Sequence, residues 1–132
     1  MSEPTVPDVR VLVVDDQASF RAVVADLVEL TDGVVLAGLA ADVADAMDQV
    51  RALRPELVLV DINLGMWSGI DLTREIVELD PTLVVILMST YAIDDLPEGV
   101  ADCGARGYLH KTALSPASLA GLAARGPVGG AP

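Results

Sequence analysis

Six polar residues follow apolar runs of the chain, and together they offer three carboxylates, one or two hydroxyls and one ammonium group. They are Asp15, Asp16, Asp61, Ser89, Thr90 and Lys111. Carboxylates held close together repel one another unless a cation lies between them, and oxygen-only ligands favour a hard divalent ion such as Mg²⁺ or Mn²⁺. A metal and an ammonium can neutralise phosphoryl oxygens while a carboxylate attacks in line to form an acyl phosphate. Metal-assisted phosphoryl transfer is therefore the chemistry that these residues indicate.

These residues act together only if the fold brings them to one place, and the apolar runs predict how it does so. The runs are rich in Val and Leu and mostly continuous, which is typical of strands buried on both faces of a parallel sheet. They extend over Val9 to Val14, Val34 to Leu39, Leu57 to Val60, Leu83 to Met88 and Arg106 to His110. The carboxyl ends of such strands lie along one edge of the sheet. The sequence therefore predicts an α/β fold with a pocket at that edge.

Helical spacing of apolar residues fills most connections between these runs. The predicted helices cover Gln17 to Thr31, with Asp16 as N-cap and Gly33 as stop, then Val43 to Val50, Gly69 to Leu79, and a last helix that starts at Ser115-Pro116. Pro97 and Gly99 interrupt the fourth connection, between Asp94 and Cys103, where we expect a short or irregular segment. The alternation predicts an open five-stranded parallel sheet with helices on both faces.

Length and composition are those of one domain of ordinary size. The chain has 132 residues, of which 52% are hydrophobic but only 3% aromatic, so a core of Val, Leu, Ile and Ala is expected. We expect the domain to span residues 1–125. Residues 126–132, GPVGGAP, are rich in Gly and Pro and are predicted to form a flexible tail or the start of a linker.

Charge and cysteine content exclude several classes of protein. The net charge is −12 and the basic residues are scattered, so this segment is not expected to bind nucleic acid or an anionic membrane directly. The single cysteine, Cys103, and the single histidine, His110, leave no basis for an internal disulfide or a Cys-rich zinc site. No signal region or membrane-spanning run is evident, and a cytoplasmic location is expected.

Each candidate site residue is weak evidence when it is taken alone. Lys111 is the only lysine of the chain, and a single lysine at a strand end usually just contacts solvent. A second acidic pair, Asp94-Asp95, is assigned no role beyond capping or solvation. The coincidence of four matching strand ends favours one shared pocket over several unrelated surface groups.

Four pieces of the chain carry a resemblance to a known family. They are VLVVDD, LVLVDINLGMWSGID, VVILMST and GARGYLHK, and from about Val9 to Leu122 the chain resembles the receiver domain of two-component response regulators. The last piece looks most like receivers attached to a helix-turn-helix DNA-binding domain of the NarL/LuxR type. The resemblance implies a flavodoxin-like (βα)5 fold with strand order 2-1-3-4-5, acting as a phosphorylation-controlled switch.

The resemblance also implies a role for each site residue. Asp61 would be the phosphoacceptor, Ser89 and Lys111 would contact the bound phosphoryl group, and Tyr108 would be an aromatic switch whose ring enters the space that Ser89 vacates. The Mg²⁺ (or Mn²⁺) ligands would be Asp61, Asp16 directly, Asp15 through water and the backbone carbonyl of Asn63. A histidine kinase or histidine phosphotransfer protein would donate the phosphoryl group, and the face around the fifth strand is where a homodimer is expected.

The chain departs from the family pattern at two positions near the site. Gly65 stands where the family usually has a proline soon after the phosphoacceptor, so we expect a more mobile loop. Thr112 stands where many receivers have a cis-linked proline, so we expect Lys111 to be held less firmly. Trp67 is interpreted as loop packing, with contact to a partner as the alternative.

Two other functions stay open at this point. A Mg²⁺-dependent phosphatase of the haloacid-dehalogenase type combines the same groups, but it needs a second Asp two residues after the nucleophile, where this chain has Asn63. A receiver-like interaction module that is never phosphorylated would usually lack an acidic, hydroxyl or lysine residue, and none is missing. We therefore expect a signalling domain rather than an enzyme, with catalysis limited to its own phosphorylation and autodephosphorylation.

Overall fold

The fold is known from a computed structural model that describes residues 8–125. The strands are β1 (Val9–Val14), β2 (Val34–Ala40), β3 (Leu57–Asp61), β4 (Asn63–Leu64), β5 (Trp67–Ser68), β6 (Val84–Ser89) and β7 (Gly107–His110). The α-helices are α1 (Ala18–Glu29), α2 (Val43–Leu53), α3 (Gly69–Leu79) and α4 (Pro116–Arg125). Two short 3-10 turns cover Ile93–Asp95 and Lys111–Ala113.

Five of the strands form one parallel sheet in the order β2-β1-β3-β6-β7. Numbered among themselves along the chain, these five strands have the order 2-1-3-4-5, so the predicted topology is confirmed. All five predicted strands are present, and no boundary differs from the prediction by more than one residue. The continuous apolar runs are the reason, because only strands covered on both faces need apolar side chains at every position.

The core consists of two apolar layers, one on each face of the sheet. Along β1, Val11 and Val13 pack with helices α1 and α4, whereas Leu12 and Val14 pack with α2 and α3. All four side chains are fully buried. Because successive side chains of a strand point to opposite faces, one strand supplies both layers. Each fully buried Val or Leu contributes about 1.5–3 kcal/mol to folding, so this two-sided burial fixes the sheet on which the strand ends depend.

Most predicted helix boundaries agree with the structure. Ser68 caps α3, its Oγ accepting hydrogen bonds from the backbone N–H groups of Ile70 and Asp71 at 3.2 and 3.3 Å. Ser115 precedes α4 and accepts a hydrogen bond from the backbone of Ser118 at 3.1 Å. A serine whose hydroxyl satisfies the first free N–H groups of a helix defines its start, and of these two caps the sequence predicted Ser115.

The start of α1 differs from the prediction, because Asp16 is not its N-cap. Gln17 occupies that position without a side-chain cap. The nearest carboxylate to bond there is that of Asp15, whose Oδ1 accepts from the backbone N–H of Gln17 at 2.8 Å. This local turn satisfies the N–H without Asp16, whose side chain is exposed and faces the pocket described below. Gly33, with φ +92°, forms the turn into β2 rather than the end of α1, whose C-cap is Leu30.

The connection between β6 and β7 contains no α-helix in the described structure, which agrees with the predicted short or irregular segment but departs from the five helices that the (βα)5 pattern implies. Its regular part is the 3-10 turn Ile93–Asp95, and turns and bends follow as far as β7. Gly99 adopts φ +95°, a conformation that disfavours continuing a right-handed helix. The predicted tail, residues 126–132, lies outside the described residues. No helix of the described chain is long and apolar enough to cross a membrane.

A two-strand hairpin, β4–β5, directly follows the end of β3 and was not predicted. Asn63 and Leu64 pair antiparallel with Ser68 and Trp67, and Gly65 at φ +64° begins the turn between them. The expected mobility of this loop stays a prediction. Met66 is 95% exposed and Trp67 is 59% exposed. Trp67 is therefore mostly open to solvent, and its interpretation as loop packing was wrong.

Candidate active site

The carboxyl ends of β1 and β3 bring three carboxylates together. Asp15 and Asp16 follow β1, and Asp61 is the last residue of β3. One ligand oxygen from each lies within 4.8 Å of the others. Asp15 and Asp61 are buried, at 0% and 5% exposure, whereas Asp16 is exposed. The structure thus forms the acidic cluster that the strand ends predicted, with two members inside and one at the surface.

Lys111 supplies the positive charge of this cluster. Its Nζ lies 2.7 Å from Oδ2 of Asp15 and 2.9 Å from Oδ2 of Asp61. It also lies 4.2 Å from the ring centroid of Phe20 in α1, a cation–π distance. Burial by itself lowers the pKa of Lys111, but the two carboxylates together outweigh it and the pKa is raised. The ammonium is therefore charged and contacted from three sides, and the expectation that Lys111 is held less firmly than in receivers with a proline after the lysine stays a prediction.

Both oxygens of Asp61 have a defined partner. Oδ1 accepts a hydrogen bond from the backbone N–H of Asn63 at 3.0 Å, and Oδ2 accepts from Lys111. Burial raises the pKa of Asp61, and Asp15 nearby adds to the rise, while Lys111 and Asn63 act against it. The ionised carboxylate is thus less stable here than in water, which leaves it in need of further positive charge.

An open pocket of about 300 Å³ exposes this cluster to solvent. Its lining residues come from the ends of four sheet strands and from the hairpin: Asp16, Gln17, Asp61, Asn63, Gly65, Thr90 and Lys111. Asp15 and Ser89 do not line it and are almost fully buried. Gly69 packs directly against the backbone of Asp61, because a Cβ at position 69 would lie 2.0 Å from the backbone oxygen of Asp61. A small anionic group can therefore enter and meet Asp61 and Lys111 together.

Ser89 and Tyr108 are in direct contact. Their hydroxyl oxygens are 3.1 Å apart, and the Tyr108 hydroxyl donates to the backbone oxygen of Tyr91 at 2.6 Å. The backbone N–H of Tyr91 in turn donates to Oγ of Ser89 at 2.8 Å. The Tyr91 hydroxyl accepts from the side chain of Asn63 at 3.2 Å, which links this network to the loop after Asp61. The Tyr108 hydroxyl therefore contacts Ser89 before any phosphorylation.

Sequence reasoning missed several residues of the site. Phe20 lay within the predicted helix Gln17 to Thr31 and Gly69 began the predicted helix Gly69 to Leu79, and neither was assigned a role in the site. His110 bonds to residues on both sides of Lys111, and Tyr91 connects Asn63 with Ser89. The adjacency of His110 to the only lysine was a usable signal. The other contacts join residues far apart in the chain and have no local signature.

A larger cavity, of about 620 Å³, lies away from these residues, at the start of β2 and the end of α1. Four acidic residues line it, Asp8, Asp26, Glu29 and Asp32, and its lining contains no Lys, Arg or His. Ligands of open α/β sheets bind at the carboxyl ends of the strands, and β2 begins rather than ends here. Size alone therefore does not identify the functional site.

Comparison with known proteins identifies the family to which the chain belongs. Residues 11–121 match the family described as response regulator receiver domain. The chain is 30% identical over 102 residues to chemotaxis protein CheY of Thermotoga maritima, covering 77% of this chain and 84% of that protein. A two-component response regulator of the LuxR family from Aurantimonas sp. SI85-9A1 superposes with a TM-score of 0.76 at 28% identity, covering 85% of this chain and 79% of that one.

Other relatives are longer than this chain. A protein-glutamate methylesterase/protein-glutamine glutaminase of Pseudoalteromonas translucida is 32% identical over 100 residues, which are 71% of this chain but 26% of that protein. The first curated relatives are matched over only about a quarter to a half of their own lengths. None of these matches supports the haloacid-dehalogenase alternative. The chain belongs to the response regulator receiver domain family, the receivers of two-component signal transduction.

Proposed function

We propose that Asp61 accepts a phosphoryl group and that this modification switches the domain. The observation that carries the proposal is the ammonium of Lys111, 2.9 Å from Asp61 and 2.7 Å from Asp15 at the floor of an open pocket. A carboxylate that is buried, reachable and already paired with a cation is equipped to attack an anionic phosphoryl group. The cation reduces the repulsion between nucleophile and substrate.

We further propose that the pocket takes Mg²⁺, with Mn²⁺ as a substitute. The donors are all oxygens, from Asp16, Asp61, the backbone of Asn63 and, through water, Asp15. Among the described residues, Oδ2 of Asp15 accepts no well-directed hydrogen bond and has only its charge contact with Lys111. This donor set suits a hard ion that keeps several waters. When bound, the ion supplies positive charge to the phosphoryl oxygens.

The remaining chemistry belongs to the side chains of this chain. One oxygen of Asp61 attacks phosphorus in line, and the bond from phosphorus to the donor breaks as the new P–O bond forms. A phosphorylated histidine of a kinase or phosphotransfer protein is the proposed donor, and its imidazole leaves with the electron pair of the P–N bond. Lys111 then pairs with an oxygen of the transferred phosphoryl group, so the negative charge that this group brings is neutralised within the site.

The switch follows from competition for the hydroxyl of Ser89. Before phosphorylation this hydroxyl is bound to Tyr108 and to the backbone of Tyr91. A phosphoryl oxygen is a stronger acceptor than either hydroxyl, so Ser89 would rotate toward it and release Tyr108. The released ring and the Tyr91 backbone would then reset the irregular β6–β7 connection, which is the proposed output surface.

Several wider properties complete the proposal. Residues 1–125 form the receiver, which acts in the cytoplasm and itself binds neither nucleic acid nor membrane. A homodimer is proposed to form through the face around β7. Its catalysis is limited to its own phosphorylation and dephosphorylation. The relatives that are methylesterases are longer proteins, and only about a quarter of their length is matched.

Intact mass measurement tests the proposal. We expect acetyl phosphate with Mg²⁺ to add one phosphoryl group to the wild-type protein and none to the Asp61→Asn variant. Asp94→Asn is the matched control, because Asp94 is exposed and lies outside the pocket. Undiminished labelling of Asp61→Asn would contradict the assignment of Asp61. An unlabelled wild-type protein would favour the unphosphorylated interaction module.

A further inference from the structure

The single histidine of the chain, which directly precedes the lysine, uses both of its ring nitrogens to bond two threonine residues. His110 is the last residue of β7 and directly precedes Lys111. Its Nε2 lies 3.0 Å from the backbone oxygen of Thr90. Its Nδ1 lies 2.7 Å from the hydroxyl and 3.2 Å from the backbone nitrogen of Thr112. The ring thus joins the end of β6 to the turn that begins at Lys111.

The donors and acceptors around this ring allow only one neutral tautomer. A backbone N–H can only donate, so Nδ1 must be the unprotonated acceptor toward Thr112. A backbone carbonyl can only accept, so Nε2 must carry the proton that is donated to Thr90. His110 therefore acts as a directional bridge, and it also caps the 3-10 turn Lys111–Ala113. A proline at position 112 would lack the N–H that this bridge requires.

Lys111 stands in the chain between His110 and Thr112, which are bonded to each other. Its backbone is flanked by His110 and Thr112, and its ammonium reaches back to Asp15 and Asp61. A long lysine side chain loses rotamer entropy when it is fixed, so its backbone must be held in place for the ammonium to stay at the carboxylates. Thr90, at the other end of the bridge, is adjacent to Ser89. The same ring therefore connects the lysine with the strand end that carries the proposed switch hydroxyl.

We propose that His110 is a positioning residue, which holds Lys111 at the phosphoacceptor and couples it to the end of β6. The proposal rests on the proposed function of Asp61 and adds a residue to it. His110 does not touch the reacting atoms. Its contribution is the angle and distance from which the ammonium meets Asp61, and a misplacement of about 1 Å in such a site can cost a rate of up to about a hundredfold.

Three variants separate the two halves of the bridge. His110→Ala removes both contacts. His110→Asn keeps a side-chain acceptor for the N–H of Thr112 but loses the contact with Thr90. Thr112→Val removes the hydroxyl and keeps the backbone N–H and the branched shape. Asp94→Asn again serves as the control outside the site.

Two NMR measurements test the proposal without requiring phosphorylation, one on the ring of His110 and one on the side chain of Lys111. Ring nitrogen NMR should show the Nε2–H tautomer of His110 in the wild-type protein. Because Lys111 is the only lysine, selective ¹³Cε labelling gives one resonance for it. We expect this resonance to differ from that of free lysine and to move toward it in His110→Ala. A role limited to global stability would lower the melting temperature and leave this resonance unchanged at a temperature where the variant is folded.

Phosphorylation kinetics provide the functional measurement. With acetyl phosphate at saturating Mg²⁺, we expect His110→Ala to slow labelling about tenfold, Thr112→Val less, and Asp94→Asn not at all. Saturating Mg²⁺ keeps metal binding from limiting the rate, because a displaced Lys111 also changes the charge around Asp15 and Asp61. If His110→Ala does not fold, His110→Asn and Thr112→Val decide the question through the lysine resonance and the rate.

The outcomes distinguish failure of this inference from failure of the proposed function. An Nδ1–H tautomer, or a lysine resonance that stays the same in the folded variants, would overturn the positioning role. A labelling rate that is unchanged in His110→Ala and Thr112→Val would also overturn it. If the wild-type protein is not labelled at all, the proposed function of Asp61 fails, while the tautomer and the lysine resonance still decide whether His110 positions Lys111.

Discussion

At the scale of single residues, Lys111 balances two buried carboxylates, and its removal leaves them facing each other. We expect Lys111→Ala to lower the free energy of unfolding by about 2–4 kcal/mol at pH 7 without metal, because uncompensated buried charge is costly. Lys111→Arg keeps the charge and should lose less. Chemical unfolding in EDTA measures both values. Equal stability of Lys111→Ala and the wild-type protein would contradict the ion pairs at 2.7 and 2.9 Å.

Asp61 makes a prediction about pH. Burial raises its pKa above the ordinary value of 3.8, so the folded state binds a proton more tightly than the unfolded state. The loss in free energy of unfolding that comes from burying the ionised carboxylate is absent below pH 3.8 and fully present above the raised pKa. Relative to wild type, Asp61→Asn should therefore gain stability as pH rises through this interval in metal-free buffer. A difference in unfolding free energy that stays constant with pH would show that burial does not dominate.

Metal binding makes a prediction about Asp16, the exposed member of the carboxylate cluster. Mg²⁺ at roughly one hundred times its Kd should stabilise the wild-type fold by about 2.7 kcal/mol. Asp16→Ala should lose most of this gain, whereas Asp94→Asn should retain it. Thermal melts with and without Mg²⁺ measure the effect. The single tryptophan, Trp67, is 59% exposed beside the pocket and offers a fluorescence signal for the Kd. A wild-type melt insensitive to Mg²⁺ would contradict a metal site.

At the scale of elements, the β4–β5 hairpin forms one wall of the pocket through Gly65. This residue has φ +64°, and a Cβ there would lie 3.4 Å from Oδ2 of Asp16. We expect Gly65→Ala to cost about 1–2 kcal/mol, because L-residues disfavour this conformation.

Gly121 is the matched control for Gly65. It lies inside α4, and a Cβ there meets nothing within 4 Å. Gly121→Ala should therefore stabilise the protein by about 0.5–1 kcal/mol. Urea unfolding measures both variants. If the two substitutions had the same effect, the strain assigned to the hairpin turn would be wrong.

At the scale of the whole molecule, phosphorylation should change the conformation and amide exchange of residues far from Asp61. The network from Ser89 through Tyr91 to Tyr108 leads into a connection without an α-helix, and such segments open at low free energy. We expect beryllofluoride on Asp61 to change amide exchange over residues 91–111 as well as in the loop of residues 62–69. Asp61→Asn treated in the same way should show neither change. Changes confined to residues 62–69 would contradict the switch.

The sequence by itself determined the architecture and the composition of the site. Continuous apolar runs predicted all five strands of the sheet, and helical spacing predicted the helices. Pro97 and Gly99 predicted that the fourth connection is short or irregular. These features depend on local propensity and burial, which are encoded in neighbouring residues. The parallel topology then followed, and with it the convergence of Asp15, Asp61 and Lys111.

Only the tertiary structure decided how these groups contact one another. It placed Lys111 against two carboxylates and Phe20, bound Tyr108 to Ser89 in advance, and turned the loop after Asp61 into a hairpin. It also showed that the backbone N–H of Gln17, just before α1, bonds to the carboxylate of Asp15, and that Asp16 is not the N-cap. Such contacts join residues far apart in the chain, as between Asp15 and Lys111 or between Asp61 and Lys111. Their geometry depends on packing across the whole sheet, because each side chain settles where its neighbours leave room and supply a bonding partner.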